Sequence, residues 1–114
     1  MQFSTESCDR MLVVSVAGRL DFATSSAFQR SLESAVVEAK GRALIVDCIG
    51  LDYVSSMGLR SFLIGARTAQ AAGIRFLVFG LQKLPAEVFV LGGFSKVIST
   101  LPDRAAAEAA AASA

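Results

Sequence analysis

The sequence predicts an α/β sandwich: a mixed sheet of about four to five strands, three main helices and a further helix at the C-terminus. Three observations carry this. Short apolar runs rich in branched residues recur at 11–17, 43–46 and 74–79, as strands covered on both faces require. Between those runs, apolar residues repeat at helical spacing. At 114 residues the chain can bury one core and not two. Residues 1–102 therefore read as a single domain and 103–114 as an alanine-rich tail.

In chain order, Phe3 to Thr5 alternates, which predicts an edge strand. A turn at Cys8-Asp9-Arg10 would return the chain as an antiparallel partner, the nearly all-apolar run from Met11, placed at the centre of the sheet. A helix is expected from about Thr24 to Ala39, with Phe28, Leu32, Ala35, Val36 and Ala39 as its apolar stripe. Thr24 or Ser25 would cap it, and Lys40-Gly41 would close it. Ala43 to Asp47 is the next strand; Asp47 and Gly50 then break the run, so 48–54 reads as a packed loop. From Ser55 the period becomes helical, with Met57, Leu59, Phe62, Leu63 and Ala66 recurring and Ser55 as N-cap. This helix ends at Ala71-Ala72-Gly73, and Ile74–Phe79 is a buried strand parallel to the one at 43–47. A third helix is expected from Pro85, suited to a first helical position, to Leu91. Val97-Ile98 would be a last short strand, and the tail a helix that frays at its end. The helices should cover mainly one face of the sheet.

Composition narrows the function. The chain contains no histidine, which removes the commonest general base, the usual catalytic triads and most zinc sites. Catalysis is therefore not expected. Cys8 and Cys48 make a poor disulfide framework, and Cys48 reads as a small core residue. A net charge of +1 without a dense Lys/Arg block argues against nucleic acid as the main partner. Although 54% of residues are hydrophobic, no apolar run approaches the roughly 20 residues needed to cross a bilayer. MQFSTESCDR has neither the basic segment nor the apolar core of a signal peptide, so a cytoplasmic protein is expected. Neither G-x-x-x-x-G-K-[ST] nor G-x-G-x-x-G occurs, so no cofactor is expected and a small nucleotide-binding protein is disfavoured.

One stretch carries chemistry: LDYVSSMGLR, residues 51–60. Ser56 would lie in the first helical turn, where a phosphate is well tolerated. On residue type alone, Ser56 could equally be a plain surface serine, and Asp21 an ordinary helix-start residue. Arg60 and Arg67 could flank an acidic partner or be simply solvated, and Met57 could be core or contact.

These residues also carry a resemblance. LDYVSSMGLR resembles the signature of the STAS domain, the family of bacterial anti-sigma-factor antagonists, which reads roughly D-S-S-G-L with its first serine phosphorylated by the partner kinase. On that pattern Ser56 takes the phosphorylated position, and Gly58, Leu59, Leu51 and Tyr53 match. Ser55 replaces the preceding acid and is the second choice of acceptor; Met57 replaces the following serine. G-R-L-D-x-x-T, residues 18–24, is similar to the family's second segment, whose loop lies beside the phosphoserine. The resemblance covers most of residues 3–100. It implies a partner surface of Asp21, Thr24, Ser55, Ser56, Met57, Gly58 and Arg60. It also implies a partner anti-sigma factor that is a serine protein kinase, and a metal-dependent serine phosphatase. The alternative it leaves is a non-phosphorylated scaffold subunit, as in stress-signalling or lipid-transport complexes.

Overall fold

The computed structural model describes residues 1–112; the last two residues of the tail, including its expected frayed end, lie outside the described residues. The elements are β1 (Gln2–Ser7), β2 (Met11–Leu20), α1 (Ser25–Ala39), β3 (Ala43–Val54), α2 (Ser56–Ala71), β4 (Phe76–Phe79), α3 (Lys83–Leu91), β5 (Ser99–Leu101) and α4 (Arg104–Ala112). A single 3-10 turn at Phe94–Lys96 leads into β5. The strands lie side by side in chain order, β1-β2-β3-β4-β5. β1 is antiparallel to β2, and the remaining pairs are parallel. This is the mixed α/β sandwich the sequence predicts.

One face of the sheet carries the main core, with Leu12, Val14, Leu44, Val46 and Val78 packed against Phe28 and Leu32 of α1, Phe62 of α2 and Phe89 of α3. A chain of five phenylalanines crosses it from the exposed Phe3 through buried Phe28, Phe62 and Phe89 to half-buried Phe94, with successive ring centroids 6.1, 4.8, 5.2 and 6.3 Å apart. Each comes from a different segment, so the aromatic contacts join elements rather than neighbours in sequence. The opposite face is not bare. Met11, Val13, Ala43, Ile45, Leu77 and Phe79 are buried there under α4, whose Ala107 is fully enclosed. The helices thus divide three to one between the faces. Alanine lets α4 come close to the sheet, and Asp103 Oδ1 caps it by accepting from the Ala106 N–H at 2.9 Å.

Four boundaries differ from expectation. β3 does not stop at Asp47 but runs to Val54. From Asp47 to Val54 it advances seven residues while β2 advances five, from Ser15 to Leu20, so β3 absorbs two extra residues as bulges. Its core-facing positions change spacing accordingly: Leu44, Val46, Cys48, then Leu51 and Val54. β4 is shorter than expected because the Ile74 N–H closes the end of α2 by donating to the Ala69 carbonyl at 2.8 Å. α3 begins at Lys83, leaving Pro85 third in the helix, where a missing N–H still costs nothing. The last strand is Ser99–Leu101; Ile98 is buried but belongs to the turn before it, its N–H bonded to the Phe94 carbonyl at 2.8 Å.

Candidate functional site

The site forms where β2 and β3 end together. Their register pairs Leu20 with Val54, and the Ser55 N–H then donates to the Leu20 carbonyl at 2.8 Å. Ser55 has extended backbone, and its Oγ accepts from the Gly58 N–H at 3.2 Å: it is the N-cap of α2, as expected. Gly58 is buried directly over Leu20, where an added Cβ would lie 2.7 Å from Leu20 Cγ and 2.9 Å from its carbonyl oxygen. Glycine therefore lets the first turn of α2 rest on the end of β2, and Gly58 serves by packing, offering no side chain to a partner. Ser56, the first residue of the helix, is exposed, and its hydroxyl makes no hydrogen bond among the described residues.

The second segment is knotted beside it. Asp21 Oδ1 accepts from the Ala23 and Thr24 N–H groups at 3.0 and 3.2 Å, and Thr24 Oγ1 accepts from the Asp21 N–H at 2.9 Å. The Thr24 hydroxyl in turn donates to the Arg19 carbonyl at 2.9 Å. The acceptor opening α1 is therefore Asp21, not Thr24 or Ser25, whose side chains make no capping bond to the helix. A polar relay ties this loop to α2: Ser25 Oγ donates to the Phe22 carbonyl at 3.3 Å, and buried Ser61 Oγ lies 3.0 Å from the Ser25 carbonyl and 3.2 Å from that of Met57.

Sequence reasoning missed Phe22. It is 80% exposed on the loop between β2 and α1, and Met57 is 44% exposed in the first turn of α2. The available signal was an aromatic residue outside the apolar stripe of α1. Arg60 is exposed on α2, and Arg19 lies over the Tyr53 ring at 4.3 Å. The rim therefore offers apolar contacts, two arginines and one free hydroxyl.

The other reactive groups lie elsewhere. Cys48 is buried in the core, and burial, with Asp47 adding to it, pushes its thiol far up and makes it inert. Cys8 sits on the far side with Glu6 and Arg104; the hydrogen bond to Glu6, then burial, raises its thiol. Among the described residues, no three His, Cys, Asp or Glu side chains are grouped to hold a metal, and no helix is long and apolar enough to cross a membrane.

A five-stranded mixed sheet with a serine-capped helix rising from the end of β3 defines the class. The chain belongs to the STAS domain family, which matches residues 2–107. Among individual relatives, it is 29% identical over 110 residues to BtrV of Bordetella bronchiseptica, described as a candidate anti-sigma factor antagonist, covering 96% of this chain and 94% of that one. Its fold is shared with an anti-sigma factor antagonist from Mycobacterium paratuberculosis, at a TM-score of 0.88 and 22% identity over 98% of this chain and 94% of that one. It is also shared with the Bacillus cell fate determinant SpoIIAA in its phosphorylated form, at 0.71 and 18% identity over 96% and 99%.

Proposed function

We propose that this protein is an anti-sigma-factor antagonist that works as a phosphorylation-switched binding module. Its unmodified rim binds an anti-sigma factor of the serine-kinase type and so frees the sigma factor. The kinase ends the interaction by phosphorylating Ser56, and a metal-dependent serine phosphatase restores it. The protein is the substrate and catalyses nothing itself; ATP and metal belong to its partners, and all of them meet in the cytoplasm.

The observation that carries this reading is the contrast between two adjacent hydroxyls. Ser55 is engaged as a cap, whereas Ser56 is exposed and unbonded at the positive end of α2. A phosphoryl group there adds about −1.5 to −2 charge next to Met57, at the junction with Leu20 from which the loop carrying Phe22 departs, against any partner that desolvates this rim. Asp21 and Thr24 act in this reading by shaping the loop that carries Phe22, while Met57 and Arg60 make the contact.

The test is incubation with ATP and the cognate kinase, sought as a genomic neighbour, followed by intact-mass measurement and peptide mapping. One added phosphate on the Ser56 peptide, absent in Ser56→Ala, is expected. Tight binding with no change of mass would sink the switch and leave the scaffold reading, which Ser55 in place of the family's acid favours.

A further inference from the structure

We propose, resting on Ser56 as the modified residue, that Arg60 is the built-in counterion of the phosphate, closing on it across one turn of α2. Helix α2 contains no acidic residue; its only charges are Arg60 and Arg67. Among the described residues, ion pairs join only Arg104 to Glu6 and to Glu108, so Arg60 has no carboxylate to leave. Ser56 and Arg60 are both exposed and four residues apart, which puts their Cβ atoms about 5–6 Å apart on one face. Helical side chains slant towards the N-terminus, so an arginine four residues after Ser56 starts out towards it and can reach a phosphate there. An anion one turn before a cation is also the favourable order. The competing cations are worse placed. Arg19 is held over Tyr53, and Arg67 lies about two turns further along the helix.

The consequence is that modification tightens the helix that bears it. The fold stays intact, and the partner meets a surface changed twice over: a dianion has appeared, and an arginine once free for contact has been withdrawn.

The experiment installs phosphoserine at position 56 of the full chain by genetic encoding and compares melting temperatures with and without phosphate, in the Arg60 protein and in Arg60→Gln. Arg60 is exposed, so the variant folds. Phosphate is expected to raise Tm by about 2–4 °C with Arg60 present. That gain should shrink in high salt, fall in Arg60→Gln to the part the helix N-terminus supplies alone, and be largely kept in Arg60→Lys. Equal shifts in the Arg60 protein and in Arg60→Gln, of either sign, would overturn the proposal. Because the phosphate is built in, the result is independent of any kinase: failure of the kinase assay defeats the reading of Ser56, and equal melting shifts defeat the counterion.

Discussion

Ser55 and Ser56 carry the same hydroxyl in opposite circumstances, and the division of labour between them is the main conclusion at the scale of single residues. The cap is worth about 1 kcal/mol, the usual cost of removing a serine N-cap. Ser55→Ala should therefore lower Tm by about 4–8 °C. It should still take one phosphate on Ser56 below that temperature. Thermal melts with peptide mapping check both halves, and loss of the phosphate from a folded Ser55→Ala protein would make Ser55 the acceptor. The cap was legible because serine before a helical period is a local signal. The roles of Asp21 and Thr24 were legible only as alternatives, since residue type does not say which side chain turns inward. Phe22 was not legible. An apolar residue is assumed buried until the fold shows nothing above it, and here nothing is.

Among the elements, α4 is the one whose attachment is sensitive to conditions. Arg104 grips Glu6 of β1 through two nitrogens, at 2.8 and 3.1 Å, and Arg75 donates to the Ala110 carbonyl. The Glu6 carboxyl is held below its ordinary 4.5, first by the hydrogen bond from Arg104 and then by that from the Cys8 thiol. A lowered native value means the contribution is full above about 4.5 and is lost as pH falls below that through the lower value the folded protein holds. Amide protection in α4, measured against the intrinsic exchange rate at each pH, should therefore fall on acidification ahead of protection in the Phe62 core. Glu6→Gln should show modestly lower α4 protection already at neutral pH, because an exposed pair contributes little and the packed alanines and Arg75 remain. Identical profiles for the two proteins would mean that the ion pair does not hold the helix. The sequence placed a helix here but not its docking, because an alanine tract shows no apolar stripe. β3 was truncated for a related reason: its bulges change the core spacing from two to three, so periodicity read from Ala43 gives out at Cys48. β5, mostly exposed at the sheet edge, has no pattern to read.

For the molecule as a whole, class, topology and the position of the serine helix were legible, because long apolar strands and amphipathic helices report themselves. What was not legible depended on pairing: where two strands end together, and which face a helix without a stripe will choose. One property of the sheet reaches beyond the native state. Each strand lies beside the strand made before it, so no later segment has to be threaded between two that are already joined. The sheet can therefore lengthen strand by strand as the polypeptide leaves the ribosome, and the Leu20–Ser55 junction can close once Ser55 has cleared the exit tunnel. Stalled nascent chains of increasing length should gain protease resistance in steps that follow strand order; a single step at full length would show that assembly waits for release.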